Sequence, residues 1–260
     1  MWVNGLTCIS CIIDEMKLSV LIITLNEEFY VGKLLDSLIL QTYKNFEVIL
    51  VDGKSTDKTM EVVKGYEAQL DLKIFVPEKK GISFQRNFAA SKASTDNLCF
   101  FDADTVLEPD FLKKLSDYLK GHPKTDMLTS HNRPISNRLF DRLLYSTANL
   151  YLEATKHFTP GAIGTFIYCR KEAFDQVGGF DEAIECGEDF SLMKYMHKAG
   201  FNYALLKDPK ILFSVRRLDK YGRWGFVKYQ VPRTIYYWVK GDIKTKKLEY
   251  DVGNHIKPLE

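Results

Sequence analysis

Asp102 and Asp104, in the run Phe100-Phe101-Asp102-Ala103-Asp104-Thr105, are two carboxylates separated by one small residue and preceded by two aromatics. In an extended chain residues i and i+2 point the same way, so both acids can face one cleft while Ala103 turns inward. Carboxylates about 5 to 6 Å apart at an effective dielectric near 20 repel by about 3 kcal/mol, equivalent to about two pKa units. A bound cation removes that cost. A hard divalent ion, Mg²⁺ or Mn²⁺, held by one or two carboxylates and completed by phosphate oxygens, suits the pair. The plainer alternative is a turn in which Asp102 or Asp104 caps the next helix.

Acids placed this way need strands behind them, and the chain supplies them. From Lys17 onward short β-branched runs alternate with amphipathic stretches, the pattern of a parallel sheet covered by helices. Strands are expected at 17–24 (KLSVLIIT), 46–52 (FEVILVD), 72–76 (LKIFV) and 97–101 (NLCFF), with helices over 27–41, within 53–70 and over 82–93. Right-handed crossovers put the carboxyl ends of such strands on one edge, where ligands bind in open sheets. Thr24 to Glu28, Asp52 to Asp57 and Asp102 to Asp104 then converge on one cleft. Neither G-x-G-x-x-G after the first strand nor G-x-x-x-x-G-K-[ST] anywhere occurs, so phosphates must be held another way.

Beyond Asp104 the pattern predicts helices over 108–121, 137–157, 171–177 and 190–200, a strand ending at Arg170, and two strands at 201–206 and 210–215. Pro232 is expected to interrupt any helix in the segment 224–244, which mixes Trp224, Phe226, Tyr229, Tyr236, Tyr237 and Trp238 with Lys and Arg. That segment could pack on the sheet or lie on a membrane surface.

Composition narrows the function. The 260 residues carry a net charge of +2, which argues against a nucleic-acid binder, although residues 207–249 hold twelve Lys/Arg against four Asp/Glu. Apolar runs are too short to cross a bilayer. The first sixteen residues lack a basic leader and cleavage site and read as an extension. Five cysteines, with Cys8-x-x-Cys11 lacking a second pair, point to reduced thiols in a cytoplasmic protein. His131, His157 and His197 have no evident role.

The segments SVLIITLNEE, VILVDGKSTDKT, GISFQRN, FFDADT, GGFDE and GEDFSLMKYMHKAG, in this order and spacing over about residues 17 to 217, resemble inverting glycosyltransferases of family 2. The resemblance implies an α/β fold of GT-A type, a Rossmann-like and mostly parallel central sheet flanked by helices, with a smaller acceptor-side half. Residues 17–130 would bind the nucleotide sugar and 131–225 the acceptor, followed by an aromatic and basic tail, 226–260. It implies a UDP- or GDP-sugar donor, a divalent Mn²⁺ or Mg²⁺, and a glycan or lipid-linked acceptor. A cytoplasmic location is expected from the cysteines, and contact of the tail with the inner face of a membrane stays open beside packing on the sheet.

Position by position, Asp52 matches the acid that contacts the nucleotide base, and Thr24, Asn26 and Glu27 border the nucleotide. Arg86 would face base or phosphate, Asp102 the ribose or metal, and Asp104 the metal on the diphosphate. Glu188 and Asp189 match the catalytic E-D pair, with Asp189 the general base; helix N-capping is the alternative use of Asp189. Arg216, Arg217 and Arg223 could clamp the diphosphate. The sequence departs from the pattern at Gly53, where a second acid is usual, and at Lys220-Tyr221-Gly222-Arg223-Trp224, where Lys replaces the Gln of processive members. Processive polymer synthesis is therefore not expected. A sugar nucleotidyltransferase, or a nucleotide-sugar-binding protein without turnover, are the competing readings.

Overall fold

The computed structural model describes residues 16–184 and 186–244; the Cys8/Cys11 stretch and residues 245–260 of the tail lie outside them. Four parallel strands, β1 (Leu18–Thr24), β2 (Phe46–Asp52), β3 (Leu72–Phe75) and β4 (Asn97–Asp102), are linked by α1 (Val31–Ile39), α2 (Thr59–Lys64) and α3 (Ile82–Lys92). There follow β5 (Thr105–Val106), α4 (Phe111–Gly121), β6 (Met127–Pro134), α5 (Leu139–Thr155), β7 (Phe166–Arg170) and α6 (Lys171–Gln176). The chain continues through α7 (Glu188–Lys198), β8 (Tyr203–Phe213), α8 (Arg216–Tyr221) and α9 (Arg223–Lys240).

Among the described residues the strands β1 to β8 form one sheet in the order β3-β2-β1-β4-β7-β6-β8-β5. β7 runs antiparallel to β4 and β6, while β6 and β8 are parallel, so the sheet is mostly but not wholly parallel. Residue 130 lies inside β6, in this continuous sheet. Alternation along β1 and β2 explains the layering: Val20, Ile22, Val48 and Leu50 face a core closed by α1 and α4, whereas Leu21, Ile49 and Val51 face one closed by α3, α6 and α7. A strand buried on both faces is apolar at nearly every position, which is why these segments read as near-continuous hydrophobic runs; buried Glu47 is the exception, held by Ser19, Ser94 and Lys73.

The strand order reverses at β1, with β2 and β3 to one side and β4 to the other, and such a reversal opens a crevice at the carboxyl ends. Register puts the acids there, because Thr24 pairs with Asp52 and Ile23 with Asp102.

Several expectations are corrected. The helix predicted from Glu27 begins at Val31, because the amides of Glu27 and Glu28 are taken by Thr59 Oγ1 and Asp57 Oδ2 across the crevice. The predicted strands 201–206 and 210–215 are one strand, β8, which follows β6 across a register shift between Ser130 and Asn132. β6 itself was not anticipated, since Thr129, Ser130, His131 and Asn132 mask it as a loop. Pro232 does not interrupt α9. It lies on the exposed face, where the carbonyl of Lys228 can turn to water. Below it, Arg233 donates to Tyr229 O and stacks on the Tyr229 ring.

Candidate active site

The first two strand ends are locked together by their own polar groups. Thr24 Oγ1 donates to Asp52 Oδ1 at 2.9 Å, and Ser55 engages both Asp52 oxygens, through Oγ at 2.6 Å and its backbone N at 2.8 Å. Asn26, at φ +58°, adopts the left-handed conformation that Asn tolerates, and its Oδ1 accepts the Thr56 amide at 2.8 Å. Gly53 stands where the family pattern usually has a second acid. A Cβ there would lie 3.0 Å from Gln85 Oε1, while the same Gln85 amide donates to Thr24 O and Val51 O. Gln85 thus fills the space of the missing side chain.

Next to this frame sit two arginine-centred clusters. Arg86, buried on α3, donates to Asp102 Oδ1 at 2.8 Å and to Glu188 Oε1 at 2.6 Å, joining the end of β4 to the first turn of α7. Burial opposes its charge, but Asp102, Glu188 and Asp189 more than compensate and raise its pKa. Arg216, at the start of α8, pairs with both oxygens of Glu27 and with Asp104 Oδ2 at 3.0 Å, and stacks over Tyr30. Arg217 lies near enough for its charge to favour ionised Asp102.

The acids show the strain of this crowding. Burial, and then the charge of Glu188, push Asp189 from 3.8 up to about 7 against the pull of Arg86. Burial likewise lifts Glu27 to about 7 despite its Arg216 partner, and raises Asp102. Five carboxylates, Glu27, Asp102, Asp104, Glu188 and Asp189, share the crevice with Arg86, Arg216 and Arg217, so acid is in excess. That excess and the hard oxygen donors of Asp102 and Asp104 fit a divalent cation. Among the described residues no group of three or more His, Cys, Asp or Glu could hold a metal. A cation here would therefore complete its shell with phosphate oxygens and water, as Mg²⁺ usually does.

The structure thus brings Thr24, Asn26, Glu27, Asp52, Arg86, Asp102, Asp104, Glu188, Asp189, Arg216 and Arg217 to one edge. Arg223 is drawn away: it makes a two-pronged pair with buried Asp141, at 3.0 and 2.9 Å, and a bond to Asp219. The N-cap of α7 is Gly187, with no side-chain cap bond, so Asp189 does not cap the helix; it lies in the first turn, where its Oδ1 accepts the amide of Phe190. Two residues escaped the sequence reading. Gly164 faces the acids so closely that a Cβ would stand 3.2 Å from Asp189 Oδ2 and 3.4 Å from Arg86 Nη2, and at Gly161 a Cβ would overlap the Phe190 ring. The run Thr159-Pro160-Gly161-Ala162-Ile163-Gly164 was the available signal.

The chain is similar in sequence and fold to known proteins. The sequence profile of Glycosyl transferase family 2 matches residues 19–178. A dolichyl N-acetyl-alpha-D-glucosaminyl phosphate 3-beta-D-2,3-diacetamido-2,3-dideoxy-beta-D-glucuronosyltransferase of Methanococcus voltae is 26% identical over 90% of this chain and 76% of its own. The poly(ribitol-phosphate) beta-N-acetylglucosaminyltransferase TarS of Staphylococcus aureus is 26% identical over 85% of this chain, which spans only 40% of the TarS length. TarS 1–349 solved with UDP-GlcNAc superposes with a TM-score of 0.61 at 27% identity, covering 76% of this chain and 58% of that one. A Pyrobaculum calidifontis mannosyltransferase solved with GDP-Man and Mn²⁺ shares the fold, with a TM-score of 0.68 at 21% identity over 82% of this chain and 61% of its own. With the profile covering more than half of its length, and strand-end acids set in the same GT-A architecture, the chain belongs to glycosyl transferase family 2.

Proposed function

We propose that the chain transfers one sugar, with inversion and with the help of a divalent cation, from a UDP- or GDP-linked donor to a hydroxyl of a glycan or lipid-linked acceptor. The observation that carries this reading is the strand-end row of acids, Asp52, Asp102 and Asp104, joined through Arg86 to Glu188 in the same helical turn as Asp189. TarS, solved with UDP-GlcNAc, supports the UDP-linked donor, and the M. voltae relative, whose name specifies a dolichyl-linked substrate, supports the lipid-linked acceptor.

In the reaction the acceptor oxygen bonds to the anomeric carbon as the bond from that carbon to the diphosphate oxygen breaks. Attack from the face opposite the leaving group inverts the centre. Asp189 takes the hydroxyl proton; a base with a pKa near the working pH suits that task and typically contributes about 10² to 10⁴ in rate. Glu188 acts as a positioning residue, tied to Arg86 while its charge keeps Asp189 basic. Asp102 and Asp104 would hold the cation, which when bound supplies countercharge to the departing diphosphate, worth several kcal/mol. Arg216 and Arg217 offer further positive charge to the diphosphate. The Asp52–Thr24–Ser55 lock keeps the nucleotide wall of the crevice in place.

A melting-temperature screen against UDP-, GDP- and dTDP-sugars, each with and without Mn²⁺, tests the reading, since a ligand that binds only the folded state stabilises it according to affinity and concentration. One nucleotide class should raise the melting temperature, and more so with Mn²⁺. No response to any of them would overturn the proposal.

A further inference from the structure

The outer faces of α5 and α9 are apolar and uncovered. Phe140 packs on Trp224 and Tyr151 on Trp238, with ring centres 5.6 and 6.2 Å apart, so the helices lie side by side and run the same way. At about 100° per residue, Leu139, Leu143 and Leu150 of α5 fall within about 40° of one another, and all three are exposed. On α9, Trp224, Val231, Ile235, Trp238 and Val239 fall within about 100°. Their exposures, from 46% at Val231 to 74% at Val239, show that beyond the two tryptophan contacts with α5 this stripe is largely uncovered by the described residues. A contiguous apolar patch of this kind marks an interaction surface.

Charge identifies the occupant. α9 exposes Lys228 and Lys240 and has no acidic residue, and Arg138 and Arg142 are exposed at the start of α5. The acids beside the patch are paired with bases, Asp141 and Asp219 sharing Arg223 and Glu153 held by Lys156. Tryptophans near both ends of the α9 stripe, flanked by lysines, suit the boundary between acyl chains and headgroups. No helix among the described residues is long and apolar enough to cross a membrane, so the contact is with a surface. The inner side of α9 meanwhile reaches the site: Tyr237 packs on Phe190, next to Asp189, and Asp242 just past the helix accepts bonds from Ser191, Lys194 and Tyr195 of α7.

We propose that α5 and α9 together form a platform that docks on an anionic phospholipid bilayer and holds the Asp189 side of the crevice against the membrane surface. The docking goes beyond the sugar-transfer reading and can be tested without any nucleotide. Flotation of the full chain with phosphatidylcholine vesicles, alone or with about a third phosphatidylglycerol, should show binding to the anionic vesicles only, weakened by salt. Ile235→Glu with Val239→Glu should weaken it about tenfold or more, because two apolar side chains are lost to the acyl region. Lys228→Gln should weaken it about fivefold and leave residual binding. Circular dichroism and the nucleotide melting shift, both unchanged, would show that the variants are folded. Failure of the wild type to float, or equal flotation of the Glu double variant, would overturn the proposal. So would light scattering that shows a wild-type dimer broken by the double variant without vesicle binding, since the face would then join two copies.

Discussion

Asp189 concentrates the chemistry at the scale of single residues. Its carboxyl is raised from 3.8 to about 7 by burial and by Glu188, and the proposed role as general base requires the ionised form. kcat/KM should therefore fall about tenfold per pH unit below about 7. Asp189→Asn should lower kcat by about 10³ or more while donor affinity changes less than about threefold, measured by single-turnover kinetics and calorimetry. The same shift acts on stability with a definite sign. The folded protein holds this proton where the unfolded chain, with its ordinary pKa of 3.8, has lost it, so the contribution is full below about pH 4 and is lost as pH rises through about 7. Asp189→Asn escapes that loss, and above pH 7 its melting temperature should exceed the wild type's by about 2 to 6 °C. An equal or lower value at pH 8 would show that Asp189 is not strained by burial. The acids were legible in sequence because D-x-D after a buried run and E-D before a helix are local patterns. Their arginine partners were not: Arg86 and Glu188 are 102 residues apart, as only the assembled sheet can make neighbours.

Elements set how tightly those residues are held. Gly164 leaves just enough room for the Asp189 and Arg86 side chains, so Gly164→Ala should displace them by a few tenths of an ångström. Turnover is expected to drop about ten- to a hundredfold with little change in melting temperature, because small misplacements at a reacting centre are costly. The α5–α9 pair hangs on a different contact, the fully buried Asp141 beneath Arg223. Arg223→Met would leave that carboxylate without its countercharge, and denaturant titration should show a loss of about 3 to 5 kcal/mol. An effect below about 1 kcal/mol would place the pair at the surface. Most elements around these contacts followed from periodicity, as β1, β2 and β4 each carry an unbroken run of apolar residues and α4 has a clear apolar stripe. β6 was hidden because its polar residues Thr129, Ser130 and Asn132 are buried in the sheet, where Thr129 donates to Phe166 O and Asn132 accepts from Thr165 Oγ1. Pro232 misled for the opposite reason: local propensity forbids what tertiary packing of α9 supports.

For the whole molecule, the decisive property is charge imbalance in a crevice made by strand order. The reversal at β1 fixes where the crevice lies, and that much was readable from alternating strands and helices. That β7, β6, β8 and β5 extend the same sheet was not, since strands that pair across long sequence separations leave no local mark. More acid than base converges on the strand ends, and Arg216 meanwhile pairs with both Glu27 and Asp104. The account therefore requires that cation and diphosphate arrive together and relieve this imbalance. Calorimetric titration of UDP and GDP into wild type, Asp104→Asn and Asp189→Asn, each with Mn²⁺ and with chelator, measures that requirement directly. The expected result is nucleotide binding that weakens about tenfold or more on chelation or in Asp104→Asn, and is kept in Asp189→Asn. Nucleotide binding indifferent to both Mn²⁺ and Asp104 would contradict it.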